Sequence, residues 1–148
     1  TTTTTTLPAW ALPANSGTGR RVVYSKPAQR VWTVEANGTV SKTHRVSGRL
    51  TWDQPRVGTY SVFSRSGYTC AIKNMSICWR YMVRFAKGGQ GGNIGFHEIP
   101  TDTRTGYKLQ SVSQLGIPLS GGCVRQSTPD AQYIWGWAPV GTKVVVLG

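Results

Sequence analysis

The stretch Trp79-Arg80-Tyr81-Met82-Val83-Arg84-Phe85 decides the fold class, because the character of its side chains alternates along the chain. Successive side chains of an extended strand point to opposite faces of a sheet. The stretch therefore predicts a strand with its four odd-numbered aromatic or aliphatic side chains on one face and Arg80, Met82 and Arg84 on the other.

Similar patterns recur on both sides of this strand. The pair Asn37-Gly38 predicts a hairpin turn, because both residues accept positive φ angles. One helix is predicted at Thr128–Trp137, with Thr128 as its N-cap and Pro129 in its first turn. The other predicted strands are Val22–Tyr24, Arg30–Glu35, Val40–Val46, Thr59–Ser64, Tyr68–Ile72 and Ile94–Ile99. The chain is thus expected to be mainly β, with one or two short helices.

The first 19 residues differ in composition from the rest of the chain. Thr1–Thr6 is of low complexity, and the stretch rich in Pro, Ala, Ser and Gly that follows has no period that supports packing. Residues 1–19 are therefore expected to form a flexible linker, in which Trp10 is the one side chain suited to docking on the domain. Residues 20–148 are long enough for one domain with its own core.

The chain carries a formal charge of +12, from 17 Lys and Arg against 5 Asp and Glu. Such a charge attracts polyanions, of which nucleic acids and bacterial wall polymers are two kinds. The basic residues are scattered and no nucleic-acid-binding signature accompanies them, so the composition favours anionic wall polymers over nucleic acid as partners. No apolar run approaches the roughly 20 residues that cross a bilayer, so no membrane span is expected.

The segment Ser120-Gly121-Gly122-Cys123-Val124-Arg125 places one thiol in a glycine-rich turn, and His97 lies upstream as a candidate base. A thiol attacks a carbonyl as the thiolate, which a histidine within hydrogen-bond reach can generate. Sequence does not show that reach, so a cysteine acyl-transfer site and two unrelated residues are both open interpretations. His44 lies far from the motif and is interpreted as a surface or structural residue.

Cys70 and Cys78 flank a short segment that suits a hairpin. A disulfide between them is geometrically feasible and would leave Cys123 unpaired. Three reduced thiols in a cytosolic protein are the alternative. Cysteine and histidine are too few and too widely spaced for the usual zinc sites, so neither a metal nor another cofactor is expected.

The cysteine segment, followed by Thr128-Pro129-Asp130-Ala131, resembles the active-site signature of the YkuD-like L,D-transpeptidases. The resemblance covers roughly residues 19 to 148 and implies a β-sandwich of two mixed sheets for residues 20–148. It includes the segments Val57–Val62, Ile94–His97 and Pro139–Val146. One position departs from the family: the common form of the motif has a histidine where this chain has Gly121.

The resemblance implies a cysteine acyltransferase that remodels bacterial cell walls. In this chemistry His97 deprotonates Cys123, whose thiolate attacks a peptidoglycan stem peptide, releases D-alanine and forms a thioester. An amine of a second stem then resolves the thioester as a 3→3 cross-link, whereas water as acceptor would give an L,D-carboxypeptidase. Acylation by carbapenems and an extracytoplasmic location are also implied, and a monomer is expected.

Backbone groups around the cysteine have expected roles in this reaction. The N–H groups of Gly122 and Cys123 are the candidate oxyanion donors, because glycine lets the main chain approach a substrate closely. The carbonyl of Ser120 or Gly121 is expected to orient the second nitrogen of His97, since the family assigns that role to the main chain.

Three side chains are candidates for substrate binding. Arg125 suits a substrate carboxylate, with an internal ion pair as the alternative. Tyr81 and Phe96 are candidates for lining the donor pocket, with a core position as the alternative. Two other function classes stay open: a non-catalytic wall-binding module of the same fold, and another cysteine hydrolase such as an amidase or small protease.

Overall fold

The protein is described by a computed structural model that covers residue 8 and residues 10–51, 53–89 and 91–148. These residues form eleven strands, one α-helix and one 3-10 turn, so the expected mainly β class is confirmed. The strands are β1 (Arg21–Ser25), β2 (Arg30–Val34), β3 (Val40–Arg45), β4 (Gly58–Ser61), β5 (Ser64–Cys70), β6 (Ile77–Lys87), β7 (Asn93–Glu98), β8 (Thr101–Asp102), β9 (Tyr107–Lys108), β10 (Val124–Gln126) and β11 (Lys143–Leu147). The helix α1 spans Thr128–Trp137, and the 3-10 turn spans Val112–Gln114. None of the helices described is long and apolar enough to cross a membrane.

The strands form two mixed sheets, as expected. The first has the order β3-β2-β1-β11-β4, in which β1 and β11 are parallel. The second has the order β10-β7-β6-β8-β9, with β5 also paired to β6, and its β7 and β10 are parallel. The chain passes from the first sheet to the second between β4 and β5, and returns to the first sheet through α1, between β10 and β11.

The core lies between the two sheets and against one face of α1. Apolar side chains of both sheets meet there, because each sheet turns one face away from water. The core residues include Val22, Tyr24, Val31, Val144 and Val146 from the first sheet, Val83, Phe85, Ile94, Phe96 and Val124 from the second, and Ile134 from α1. This packing fixes β7, which carries His97, and β10, which directly follows Cys123.

The alternation predicted for the central strand β6 breaks at Tyr81. Tyr81 has a φ angle of 60°, in the left-handed region that non-glycine residues rarely adopt. Val83 and Phe85 lie in the core, whereas Trp79 lines a cavity outside it together with Met82. The prediction that the odd-numbered side chains share one face is therefore wrong, because the left-handed residue shifts the alternation by one position.

The hairpin formed by β5 and β6 is longer than predicted. The predicted strands Thr59–Ser64 and Tyr68–Ile72 leave Ser66-Gly67 between them, but β5 runs through this pair and is held by its register with β6. Cys70 and Cys78 lie directly opposite each other near the end of the hairpin and form a disulfide. The predicted pairing is thus confirmed, and Cys123 is the free cysteine.

Two local details also differ from the sequence predictions. In the β2–β3 hairpin only Gly38 has a positive φ angle, and a register shift at Thr33 and Val34 accommodates the longer loop. The N-cap of α1 is Ser127, whose hydroxyl accepts a hydrogen bond from the Asp130 N–H at 3.3 Å. The predicted cap was one residue too late, because serine satisfies the same helix N–H group as threonine would.

Part of the N-terminal segment contacts the first sheet. The indole N–H of Trp32 donates to the carbonyl of Trp10 at 2.7 Å, and Leu12 packs against the outer face of the sheet beside Trp32. Ser16 is buried, and its carbonyl accepts a hydrogen bond from Arg21 at 2.7 Å. Residues 1–7 and 9 of the predicted linker lie outside the described residues.

Removal of the disulfide is expected to destabilise the domain. The double substitution Cys70→Ser and Cys78→Ser should lower the free energy of unfolding by about 2.5 kcal/mol, because the bridge closes a short loop in the unfolded chain. Urea unfolding of the oxidised protein and the double variant measures the difference. Wild-type protein under a reductant should match the variant, and equal unfolding midpoints for the variant and the oxidised protein would contradict the expected role of the bridge.

Candidate active site

Strand pairing brings Cys123, the residue before β10, two positions out of register with His97 on β7. In the parallel pair β7–β10, Val124 lies opposite Phe96 and Arg125 lies opposite His97. Val124 and Phe96 are fully buried in the core. Because side chains alternate along a strand, Cys123 and Arg125 face the other side of the sheet, where both line one cavity with His97.

The cavity has a volume of about 630 Å³. Its walls come from the end of the β5–β6 hairpin, the loop between β6 and β7, and the segments before β8, after β9 and before β10. The lining includes Thr69–Lys73, Trp79, Met82, Arg84, Asn93, His97, Leu109, Ser120–Cys123 and Arg125. No group of His, Cys, Asp and Glu side chains able to hold a metal ion occurs in the part of the chain that the structure describes.

The segment after β3, residues 47–50, holds the cysteine loop by backbone hydrogen bonds. The carbonyl of Gly48 accepts a hydrogen bond from the Ser120 N–H at 2.9 Å, and the carbonyl of Ser120 accepts one from the Leu50 N–H at 3.0 Å. Ser47 exchanges two backbone hydrogen bonds with Arg125, at 2.8 and 2.9 Å. The position of Cys123 between these contacts is therefore set by main-chain atoms.

Gly48 can hold this loop only as glycine. A Cβ atom at this position would overlap the hydroxyl oxygen of Tyr24, which lies in the core. The N–H of Gly48 also donates to the Gln29 side chain at 2.7 Å. The sequence does not single out Gly48, because a close approach between a glycine and a distant tyrosine leaves no local pattern.

The imidazole of His97 is held in one orientation. Its Nδ1 lies 2.5 Å from the carbonyl oxygen of Glu98, and since a carbonyl only accepts, Nδ1 carries the proton and Nε2 keeps its lone pair. The ring stacks on Trp79 with a centroid distance of 4.5 Å. The orienting carbonyl is thus that of Glu98, not the expected Ser120 or Gly121; the Ser120 carbonyl is bonded to Leu50.

His97 is neutral in this environment. Burial, with a smaller contribution from the charge of Arg125, lowers the pKa of His97 to about 3, against the opposing effect of the Glu98 backbone. The side chain is only 2% exposed. At neutral pH the imidazole is therefore uncharged and has a lone pair on Nε2, and the burial that keeps it neutral also makes it a weak base.

The Glu98 side chain anchors the residue that orients His97. Its buried carboxylate accepts hydrogen bonds from Arg80 at 2.8 Å and from Lys108 at 2.9 Å. Burial alone would raise the pKa of Glu98, but the hydrogen bonds from Lys108 and Arg80 outweigh it and hold the pKa below its ordinary value. Two cations from different elements thus fix the backbone of Glu98 at the end of β7.

The thiol of Cys123 is half-buried at the cavity surface. It donates a hydrogen bond to the carbonyl of Asn93 at 3.5 Å. Burial raises the pKa of the Cys123 thiol, while a hydrogen bond from the Gly95 backbone and the charges of Arg84 and Arg125 act in the opposite direction. Because the net direction is upward, the resting sulfur is a thiol that needs a base before it can attack.

Ser120 stabilises the turn that carries the cysteine. Its hydroxyl donates to the carbonyl of Cys123 and accepts a hydrogen bond from the Gly122 N–H at 3.2 Å. A Cβ atom at Gly121 or Gly122 would meet nothing within 4 Å, so the turn is open on the side of the cavity. The oxyanion role of the Gly122 and Cys123 N–H groups stays a prediction.

The three candidate binding residues lie in different places. Arg125 lines the cavity, donates to the side-chain oxygen of Gln110 at 3.1 Å, and is in none of the ion pairs among the described residues. Phe96 is fully buried in the core, and the Tyr81 ring packs 6.1 Å from that of Trp135. Neither aromatic side chain lines the cavity, because Phe96 is on the core face of β7 and Tyr81 adopts the left-handed conformation.

Comparison with known proteins identifies the fold. Residues 19–146 match the family profile of the L,D-transpeptidase catalytic domain, YkuD. The fold is similar to that of an L,D-transpeptidase from Stackebrandtia nassauensis (TM-score 0.66, 21% identity, 88% of this chain and 56% of that chain). It is also similar to the L,D-transpeptidase LdtMt1 in complex with imipenem (TM-score 0.65, 17% identity, 88% of this chain and 60% of that chain). A third similar structure is L,D-transpeptidase 3 from Mycobacterium tuberculosis with a faropenem-derived adduct (TM-score 0.61, 16% identity, 89% of this chain and 61% of that chain).

The similarity to the solved structures is one of fold, and the family profile matches most of the chain. At these identities the solved structures show a shared fold, and this chain spans 56 to 61% of their length. No curated protein sequence matches the chain. Since the family profile covers residues 19–146, nearly all of the two sheets and the whole cavity, the chain belongs to the L,D-transpeptidase catalytic domain family, YkuD.

Proposed function

We propose that this protein is a cysteine-dependent L,D-transpeptidase that acts on peptidoglycan stem peptides through a thioester on Cys123. One observation carries the proposal: a free thiol and a buried, neutral imidazole with a fixed tautomer line the same cavity. Membership of the family supports the reaction class, and two similar structures, one in complex with imipenem and one with a faropenem-derived adduct, support the acyl chemistry.

The first half-reaction forms the thioester. The Nε2 atom of His97 takes the proton of the Cys123 thiol, and the thiolate attacks the carbonyl before the terminal D-alanine. The N–H groups of Gly122 and Cys123 would hold the oxyanion, with the Gly122 N–H exchanging its contact with Ser120 for the substrate. The C–N bond then breaks, and His97 returns the proton to the departing amine of D-alanine. Arg125 would bind a carboxylate of the stem.

The second half-reaction restores the thiol. An amine of a second stem peptide attacks the thioester, His97 takes a proton from this amine, and the C–S bond breaks as the new amide forms. The released thiolate recovers the proton from His97. The product is a 3→3 cross-link; with water as the acceptor the same steps give a tripeptide, as in an L,D-carboxypeptidase.

The setting of the protein is proposed from its chemistry. Disulfides persist in oxidising compartments, and the Cys70–Cys78 bridge therefore supports an extracytoplasmic location at the cell wall. The charge of +12 supports contact with anionic wall polymers.

Incubation with a tetrapeptide stem as donor and a second stem as acceptor tests this function. Liquid chromatography with mass spectrometry should show release of D-alanine together with a dimer linked between the two diamino acids. Tripeptide without dimer would instead assign an L,D-carboxypeptidase. Absence of both products from folded protein, with either stem, would favour the non-catalytic wall-binding module.

A further inference from the structure

The charged side chains that line the cavity are all basic. They are Arg49, Lys73, Arg84 and Arg125, and no Asp or Glu is among the lining residues that the structure describes. Arg49 has an ion-pair partner, Asp53, at 3.3 Å, whose carboxylate is largely exposed outside the lining. Because the imidazole of the site is neutral, the cavity presents positive charge that no lining carboxylate balances.

Arg84 lies across the sheet from the cysteine, and Arg125 lies further along β10. In the register of the second sheet Arg84 pairs with Gly95, and the parallel pairing on the other side of β7 places Cys123 next to Gly95. Arg84 is therefore two strand spacings from Cys123, or about 10 Å between Cα atoms. Arg125 lies two residues beyond the cysteine on β10.

The guanidinium of Arg84 is anchored but keeps donors for a ligand. One terminal nitrogen donates to the Ser64 hydroxyl at 3.0 Å, which uses one of five N–H donors. Arg84 takes part in none of the ion pairs found among the described residues. The charge of Arg84 also acts on the thiol of Cys123, so the two groups share one electrostatic environment.

We propose that Arg84 is a specificity-determining residue that makes the site select donor stems with free carboxylates over stems in which those carboxylates are amidated. The proposal rests on the proposed function and goes beyond it by naming the chemical state of the donor. A free carboxylate can accept charge-assisted hydrogen bonds from Arg84 while Arg125 binds another part of the stem. An amide in its place is neutral and can accept only through its carbonyl oxygen, so its hydrogen bond with the guanidinium loses the assistance of the second charge.

The test uses two tetrapeptides that differ only in amidation of the D-glutamate and diamino-acid carboxylates. We expect wild-type kcat/KM to be at least about tenfold higher for the free acid, the size typical of one charge-assisted hydrogen bond. Arg84→Gln should reduce this ratio to less than about threefold through loss on the free acid. Arg56→Gln is the matched control, because it removes the same charge from an exposed residue outside the lining and should keep the wild-type ratio.

The ratio separates recognition from reactivity. If Arg84 acted only on the thiol, Arg84→Gln would slow both peptides by the same factor and leave the ratio unchanged, which would overturn the proposal. Equal wild-type rates for the two peptides, or a preference for the amide, would also overturn it.

Binding to the Cys123→Ala variant makes the proposal independent of turnover. Calorimetry with the same two peptides should give a Kd at least about tenfold lower for the free acid, and Arg84→Gln in this background should remove the difference. Tighter binding of the free acid without wild-type turnover would reject the proposed function and keep the selectivity. Turnover without any difference in Kd or in kcat/KM would reject the selectivity and keep the function.

Discussion

The Cys123→Ala variant is expected to lose stem-peptide turnover, with kcat falling by at least about 10⁴-fold. The reason is that the thioester cannot form without the sulfur, and losses of this size are typical when a covalent nucleophile is removed. Release of D-alanine from a tetrapeptide stem measures the effect. The other two cysteines cannot substitute for the nucleophile, because they are joined in the disulfide.

A matched control separates loss of chemistry from loss of structure. The double variant Cys70→Ser and Cys78→Ser keeps Cys123, so it should retain turnover under conditions where it is folded, although it is less stable. Urea unfolding of Cys123→Ala should show a cooperative transition close to that of wild type, since the half-buried thiol contributes little packing. Turnover by Cys123→Ala within tenfold of wild type would place the nucleophile elsewhere.

The His97→Gln variant is expected to lower kcat by about 10² to 10⁴-fold, the usual contribution of a general base. Glutamine can still donate to the Glu98 carbonyl, but it has no nitrogen that accepts the thiol proton. The remaining rate should rise with pH, because the thiolate must then form by direct ionisation of a thiol whose pKa burial raises. Initial rates of D-alanine release between pH 5 and 9 measure both effects.

The turnover rate of wild-type protein should depend on pH differently from that of His97→Gln. Because burial lowers the pKa of His97 to about 3, protonation of His97 should not reduce the rate between pH 8 and pH 5. A loss of rate centred near pH 6.5 that disappears in His97→Gln would contradict the neutral, buried imidazole. His44→Gln is the control: His44 is also buried and has its pKa lowered to about 4, chiefly by burial, but it lies outside the cavity lining and should keep turnover.

The sequence predicts the fold class well because the features that determine it are local. Runs of β-branched and aromatic residues are visible in β1, β2, β6 and β11, and the capping residues and proline mark the start of α1 within one residue. The prediction fails at Tyr81, where a left-handed residue inverts the alternation of β6. No local signal announces this conformation, because tyrosine rarely adopts it and tertiary packing must impose it.

The site is predictable only in its reactive groups. Cys123 and His97 are chemically distinctive, and the motif around the cysteine carries the family resemblance. By contrast, the Glu98 carbonyl that orients His97 and the Gly48 backbone that holds the cysteine loop act through main-chain atoms that every residue possesses. Such roles depend on three-dimensional approach, so they require the structure.

The residues that line the cavity are also only partly predictable from the sequence. The shift of alternation at Tyr81 brings Trp79 to the cavity face, where Met82 and Arg84 also lie, whereas the predicted lining residue Phe96 packs in the core against Phe85. Phe96 directly precedes His97 in sequence, and successive side chains of a strand point to opposite faces of the sheet. A residue adjacent to His97 on β7 is therefore turned away from the cavity that His97 lines. The alternation rule applied to β7 alone would have placed Phe96 away from His97.

The most direct test of the account is intact-protein mass spectrometry after incubation with a carbapenem, because it reports acylation of the cysteine without needing the natural substrate. We expect one adduct of the mass of the drug on wild-type protein and none on Cys123→Ala. His97→Gln should form the adduct more slowly, and peptide mapping should locate it at Cys123. Folded wild-type protein that stays unmodified, or an adduct that persists in Cys123→Ala, would contradict the claim that Cys123 is the activated nucleophile of this cavity.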